Sequence, residues 1–291
     1  MAGGDIDIME DTRSVSVIIL NYKDYNMSIN CSNIVLETDV AEVIVVDNYS
    51  SDGCIDKLKK GLDKRVKLIL NPNNNGYAYG NNLGAKNSKD VDYLLFMNPD
   101  VEINNDAIVK MTEFLDKHKE FAMVAPRVEE DFIQGWKVRS FKEELVAMSS
   151  ILTKLTNKTR KLDISNKINI VECISGACFM IRKDVFFNIG LFDEDTFLFF
   201  EENILGVKLK NKGFKNAILN YCTYKHKHSA IIKKEISIKR NLKIKEESRK
   251  VYIFKYIKPN KIQKAIYWIW RKLMYVDKFI LLAKRKLVNN D

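Results

Sequence analysis

The chain reads as an α/β protein built on a mainly parallel central sheet with helices on both faces, followed by a basic helical C-terminal region. Three observations carry this reading. Short apolar runs alternate with longer mixed stretches through the first half, as successive strand-helix units require. The apolar runs are apolar throughout, which fits strands covered on both faces. The positive charge is segregated: residues 231–291 hold 18 Lys+Arg and 5 Asp+Glu, against 30 and 33 in residues 1–230. The expected organisation is a disordered lead-in at 1–13, a Rossmann-like body at 14–230 and a basic helical region at 231–291.

The elements follow in order. The β-branched run 15–20 is a strand, 24–37 a helix and 43–46 a second strand. A helix at 52–62 leads to a third strand at 66–70, then a polar Asn/Gly loop, a short helix at 81–87 and a fourth strand at 93–97. A helix at 104–118 and a strand at 121–125 extend the unit, with right-handed crossovers. Between 127 and 170 the pattern weakens, and irregular, mobile structure is expected. Order returns with a strand at 177–181 and a helix at 203–212, which Gly213 closes as a left-handed cap.

Composition narrows the function. At 291 residues with 46% hydrophobic content the chain can bury a substantial core. Five cysteines without a CxxC pair suggest neither a disulfide framework nor zinc, and a reducing, cytoplasmic setting is expected. The start lacks a signal-peptide pattern, and no run reaches the roughly 18 apolar residues of a spanning helix. A near-neutral body carrying a basic tail argues against nucleic acid as a partner.

The strands of the first half end in polar residues: Asn21-Tyr22, Asp47-Asn48-Tyr49-Ser50-Ser51-Asp52, Asn71 through Gly76, and Asn98-Pro99-Asp100. In an open α/β sheet such tips share one edge, where ligands bind. Singly each tip also suits a turn or a helix cap. Further on, Glu201 and Glu202 follow Phe197-Leu198-Phe199-Phe200 at a helix start, where a carboxylate pair serves either the helix dipole or acid-base chemistry.

Taken together, Val-Ser-Val-Ile-Ile-Leu-Asn-Tyr from Val15, Val-Val-Asp-Asn-Tyr-Ser-Ser-Asp-Gly from Val45, Asn-Asn-Gly-Tyr-Ala-Tyr-Gly-Asn-Asn from Asn74, Asn98-Pro99-Asp100, Ser-Gly-Ala-Cys-Phe-Met-Ile-Arg from Ser175, Phe-Phe-Glu-Glu from Phe199 and His226-Lys227-His228-Ser229 resemble glycosyltransferase family 2. The resemblance is to inverting enzymes of GT-A fold, and especially to the bacterial rhamnosyltransferase-like branch. It implies a nucleoside diphosphate sugar donor, dTDP or UDP linked, and a glycan or lipid-linked glycan acceptor. Asp47 with Asn21 would hydrogen-bond the nucleobase, with Asn48, Asp52, Asn75 and Asn98 around the donor, and Gly76, Gly80 and Asn81 lying against the nucleotide. Asp100 and His226 would hold Mg²⁺ or Mn²⁺, with His228 the lesser candidate. Glu202 would be the general base beside Glu201. Relatives often continue Glu-Asp-x-Asp-Leu, whereas here Glu202 and Ile204 stand at the two aspartates, which leaves a donor-binding protein without transfer as the alternative.

In the tail, Ile262, Ile266, Ile269, Leu273, Val276, Ile280, Ala283 and Leu287 fall on one helical stripe, widened by Tyr267, Trp268, Trp270, Met274 and Phe279. Lysines and arginines interrupt every apolar run. Such a helix suits an anionic membrane surface through 260–287, at the inner face of the cell membrane. Packing against the body or against a second copy in a homodimer fits the same stripe.

Overall fold

A computed structural model of the chain describes residues 14–51, 53–130, 133–149, 152–153, 162–227 and 238–288. The lead-in at 1–13 lies outside them. The body opens with β1 (Val15–Asn21), α1 (Tyr25–Leu36), β2 (Glu42–Asp47), α2 (Cys54–Gly61), β3 (Val66–Leu70), α3 (Tyr77–Lys86) and β4 (Tyr93–Met97). It continues through β5 (Val101–Ile103), α4 (Asn105–Lys117), β6 (Phe121–Val128), β7 (Gly135–Trp136), α5 (Phe141–Met148), β8 (Ile168–Val171), β9 (Cys173–Ile174), β10 (Cys178–Arg182), α6 (Lys183–Asn188), α7 (Glu201–Asn211) and β11 (Lys215–His226). Two helices, α8 (Ile238–Val251) and α9 (Lys261–Val288), flank a π-helical turn, Tyr252–Ile257.

The main sheet runs β3-β2-β1-β4-β10-β6-β11-β5, with β8 also paired to β11. Its first four positions are parallel. Strand β10 then runs antiparallel to both β4 and β6, while β11 is parallel to β6. The central strands are largely apolar because their two faces feed two cores. Val15, Val17 and Ile19 of β1 face a core shared with α1, α2 and α4, whereas Ile18 faces one shared with α3, α6 and α7. Local chemistry sets the helix starts: Asp24 accepts from the Met27 amide at 3.3 Å, and Asn104 from the Ala107 amide at 2.9 Å. Gly213 adopts the left-handed conformation, φ +82°, expected of it after α7.

Several expectations are corrected. The stretch 127–170 is not simply irregular: it carries the end of β6, β7, α5 and β8. Helix α5 is fixed by a capping box in which Ser140 and Glu143 exchange hydrogen bonds. That Ser-x-x-Glu pattern was present in the sequence. The helix expected at 81–87 begins earlier, at Tyr77, because Asn74 and Gly76 shape its entry. The polar segment around His226 is the end of a 12-residue strand.

Helix α7 is buried on two sides. Leu205 and Leu209 enter the sheet core, while Ile204 and Val207 join a third cluster with Phe141, Met148, Phe200, Tyr252, Ile253 and Tyr267. The C-terminal region therefore docks on the body through α5 and α7.

The capping box makes a first prediction. Ser140→Ala should lower the unfolding free energy by about 1 kcal/mol, read from urea denaturation; an unchanged midpoint would mean that α5 needs no cap.

Candidate active site

Strand register creates the site edge. Asn21 pairs with Asp47, and Asp47 with Leu70, so β1, β2 and β3 end level. Met97 lies opposite Ile19 on one side and Cys178 on the other, so the turn Asn98-Pro99-Asp100 and the turn before β10 leave from that same edge.

At this edge Asp47 is fully buried and already accepts on both carboxylate oxygens. One oxygen accepts from Asn21 Nδ2 at 2.6 Å and the other from the Ser50 amide at 2.9 Å. Asn21 is equally enclosed, accepting from the Ser28 hydroxyl at 2.7 Å. The two residues tie the tips of β1 and β2 together. Asn48 extends this scaffold: its amide donates to Asn74 Oδ1 and Gly76 O, and it accepts from Asn71 at 2.7 Å. Tyr49 beside it is 58% exposed and holds φ +63°.

The glycines of this edge also have partners within the chain. A Cβ at Gly76, where φ is +97°, would stand 2.1 Å from Phe197 O, so this glycine permits close approach of the chain's own 197–200 loop. A Cβ at Gly80 would meet Leu20 at 2.4 Å, which makes it a helix-strand packing glycine. Asn81 is 1% exposed and bonds Tyr77 O inside α3. Asn75 is exposed on the loop before α3. Asp52 and His228 lie outside the described residues.

Asp100 and His226 come together from distant parts of the chain. Their Oδ1 and Nε2 atoms are 3.2 Å apart, and both side chains are mostly covered. Val101 pairs with His226, and the Lys227 amide donates to Asp100 O at 2.9 Å, so sheet pairing fixes the geometry. Glu130 supports it by accepting from the His226 amide. Adjacent ligands of one octahedral ion stand about 3 Å apart, so this oxygen-nitrogen pair fits a divalent cation whose remaining positions are filled by phosphate and water. No larger cluster of metal-ligating side chains occurs among the described residues.

Glu201 and Glu202 open α7 directly after Phe199 and Phe200, which both have positive φ. Glu201 is 3% exposed, and its Oε1 has no hydrogen-bond partner among the described residues. Burial, then the charge of Glu202, hold its carboxyl well above the usual range. Burial also raises Glu202, although the Gly176 amide donates to its Oε1 at 3.3 Å and opposes the shift. Tyr77 covers the pair: its hydroxyl donates to Gly176 O at 2.8 Å.

One unbroken path of contacts links these groups. Asn48 bonds Gly76; Tyr77, the next residue, donates through its amide to Phe197 O and through its hydroxyl to Gly176 O. Gly176 holds Glu202, and its neighbour Ala177 accepts from the Asn98 amide at 2.8 Å. From Asn98 the chain reaches Asp100 and His226.

Residues 16–190 match the family described as glycosyl transferase family 2. The chain belongs to glycosyltransferase family 2. It is 29% identical over 193 residues to the low-salt glycan biosynthesis hexosyltransferase Agl10 of Haloferax volcanii, covering 65% of this chain and 59% of that protein. It is 26% identical over 187 residues to the dTDP-rhamnosyl transferase RfbF of Shigella flexneri, covering 64% of this chain and 59% of the relative. The chain thus spans about three fifths of the length of these relatives. Among solved structures, GalNAc-T7, crystallised with UDP, GalNAc and Mn²⁺, superposes with a TM-score of 0.56 at 16% identity over 75% of this chain and 44% of that one. The fold is that of the GT-A glycosyltransferases.

In this glycosyltransferase, sequence reasoning missed Tyr77, Gly176 and Glu130 as parts of the site. Tyr77 and Gly176 sat inside quoted motifs, the Asn-Asn-Gly-Tyr and Ser-Gly-Ala runs, but their link to Glu202 is tertiary. Glu130 carried no signal.

The buried carboxyl at 201 has a measurable consequence. A carboxyl whose folded pKa is raised weakens the fold as pH rises from its unfolded pKa through its folded one, and costs nothing at pH below both. Glu201→Gln should therefore raise Tm at pH 8 relative to its effect at pH 4. An equal shift at both pH values in thermal melts would show that Glu201 carries no buried charge.

Proposed function

We propose that this glycosyltransferase moves a hexose, with rhamnose from a dTDP donor as first candidate, onto a bacterial surface glycan or lipid-linked glycan with inversion at the anomeric carbon. The observation that carries the reading is the contact path joining the Asp100-His226 pair to Glu202 across the carboxyl edge of the sheet. The donor class rests on the printed activities of Agl10 and RfbF, and the sugar and base remain with those names.

In the proposed reaction Glu202 takes the acceptor hydroxyl's proton as that oxygen attacks the anomeric carbon, while the bond from that carbon to the diphosphate oxygen breaks. Its raised affinity for protons suits a base working near neutral pH. Asp100 and His226 would hold Mg²⁺ or Mn²⁺, which when bound supplies positive charge to the departing diphosphate. Exposed Asn75, half-buried Asn98 and Tyr49 at the mouth of the β2 loop are placed to meet the donor. Ile204, where relatives often carry a second aspartate, is 1% exposed within the third cluster. Packing accounts for its identity, which favours transfer over a donor-binding protein without activity.

Transfer should be measured on a panel of nucleotide sugars with Mn²⁺. Asp100→Ala is expected to abolish turnover and metal-dependent donor binding, and Glu202→Gln to lower kcat by at least about 100-fold with donor affinity retained. Activity should fall with decreasing pH through a limb above the ordinary carboxylate range. Full turnover in Asp100→Ala, or inactivation by Glu201→Gln but not Glu202→Gln, would overturn the respective assignments.

We also propose that α9 lies on an anionic bilayer, which would place the enzyme at the cytoplasmic face of the membrane. Tyr267, Trp270 and Met274 of α9 pack inward, with Tyr267 bonding Glu246 of α8 and Trp270 bonding Leu145 O of α5. The stripe of Ile262, Ile266, Ile269 and Leu273 instead faces outward, 43 to 72% exposed. Eight basic residues and one acid in α9 complement anionic headgroups and would repel a second copy. No helix among the described residues is long and apolar enough to cross a membrane. The full chain should float with phosphatidylcholine vesicles containing phosphatidylglycerol, and less with phosphatidylcholine alone. Replacing Ile266, Ile269 and Leu273 together by serine should abolish flotation. Absence of flotation by the unmodified chain, or a dimer in sedimentation that the serine variant dissolves, would overturn the proposal.

A further inference from the structure

Family matching ends at residue 190, so neither the carboxylate pair nor the C-terminal helices fall within it. Between them lies an unusual piece of backbone. Phe199 and Phe200 hold φ values of +73° and +72° in succession, immediately before Glu201. A non-glycine residue in this region is strained and persists only where its surroundings fix it. The surroundings here come from the C-terminal region. The Ser248 hydroxyl donates to Leu198 O at 2.8 Å, the Tyr252 ring lies 5.4 Å from that of Phe200, and the Arg249 guanidinium stands 5.5 Å from the same Phe200 ring.

This brace is itself anchored. Arg249, 4% exposed, pairs with Glu144 of α5 at 3.4 Å and with Glu246 at 3.1 Å. Glu246 in turn accepts from Tyr267 and pairs with Arg271 of α9, each at 3.0 Å. The Tyr252 hydroxyl donates to Arg139 O at 3.0 Å. Buried ion pairs of this kind define one arrangement more than they add stability. The arrangement they define is that of the 198–200 turn, from which α7 starts and projects its first two carboxylates.

We infer that Ser248 and Tyr252 are positioning residues for the general base, holding the left-handed Phe199-Phe200 turn so that Glu202 meets the acceptor hydroxyl. The inference rests on the proposed transfer reaction and gives the C-terminal region a part in catalysis separate from membrane contact. Neither residue touches substrate in this scheme. Misplacement of a reacting group by about 1 Å costs up to about 100-fold in rate, so a loosened turn acts on kcat rather than on donor affinity. The groups facing Glu202 are Glu201 on its own helix, the Tyr77 phenol of α3, the Cys173 thiol of β9 and the Gly176 amide. With these unchanged and the turn loosened, water reaches the pair and the acid limb of kcat moves to lower pH.

The test uses the full chain as Ser248→Ala, Tyr252→Leu and Tyr252→Phe. Two readouts are taken: amide exchange in peptides spanning 196–205, and steady-state kinetics against pH. Ser248→Ala and Tyr252→Leu are expected to exchange faster there, with kcat about 10- to 100-fold lower, donor KM within about twofold of the parent and the acid limb displaced downward. Tyr252→Phe, which keeps the ring over Phe200 and gives up only the bond to Arg139 O, should recover most of the kcat and exchange protection that Tyr252→Leu loses. Unchanged exchange and kcat in both disruptive variants would overturn the inference. So would a loss of Tm with kcat and KM moving together and no recovery in Tyr252→Phe, since that is a purely structural role. Failure of the parent to turn over any donor would instead defeat the proposed reaction, while the exchange measurement still decides whether the turn is braced.

Discussion

The site depends on one short turn, Ser175-Gly176-Ala177, wedged between two halves of the molecule. On one side Ala177 O accepts from Asn98, which fixes the exit of β4 and hence the place of Asp100. On the other, the Gly176 amide donates to Glu202 and Gly176 O accepts from Tyr77. The turn can do this because β10 runs back antiparallel to β4, so it starts at the very edge where the parallel strands stop. Had β10 continued the parallel order, its first residue would stand at the far edge, and the Asp100-His226 pair and Glu202 would have no common support. The antiparallel insertion thus matters more to the chemistry than the parallel half that dominates the pattern.

The two ends of this support carry opposite electrostatics. Asp100 and His226 sit where sheet pairing ends and solvent begins, a setting in which an oxygen and a nitrogen donor can share a cation with phosphate. Glu201 and Glu202 sit between the aromatic run Phe197 to Phe200 and two packed cores, a setting that disfavours a charged carboxyl. Burial raises both carboxyls, and the charge of Glu202 raises Glu201 further. A base is useful only if it binds its proton loosely enough to begin deprotonated and tightly enough to take another, and a covered carboxylate whose burial is opposed by backbone amides of Glu202 and Gly176 meets both needs.

The fold was legible in the sequence wherever the signal was local. The runs at 15–20, 43–46, 66–70 and 93–97 became strands because short, mostly apolar segments rich in β-branched or aromatic residues have few other uses, and their polar tips share an edge because parallel register aligns them. Helix α5 was also legible through Ser140 and Glu143, yet weak periodicity on either side hid it. What could not be read was the allocation of roles among residues at the edge. Asp47 and Gly80 stand in motifs that read as nucleotide contacts, and the structure shows that they also act as a strand tie and a packing glycine, which the motifs do not reveal. A motif records that a residue type is needed, and the partner that needs it is a tertiary fact. Glu130 and Tyr77 were missed for the converse reason, since each acts through a neighbour brought from about 100 residues away.

The tail shows the same limit from another direction. Its four-three stripe was readable, and the helix extends as expected through Lys261–Val288, but a stripe does not say which way it faces. The body is gripped instead by Tyr267, Trp270 and Met274, about a quarter turn around the helix from Ile262, Ile266 and Ile269. A helix that buries one apolar face and leaves a second in water, with eight basic residues along it, is poorly explained as a stability element, because the outward face contributes nothing to the core. Both faces make sense together if the helix is a junction. Its inner face fixes Glu246 and Arg249, which in turn fix the turn preceding the base, while its outer face is free to meet a surface of opposite charge. On that arrangement the orientation of the enzyme on its surface and the aim of its base are set by one rigid element.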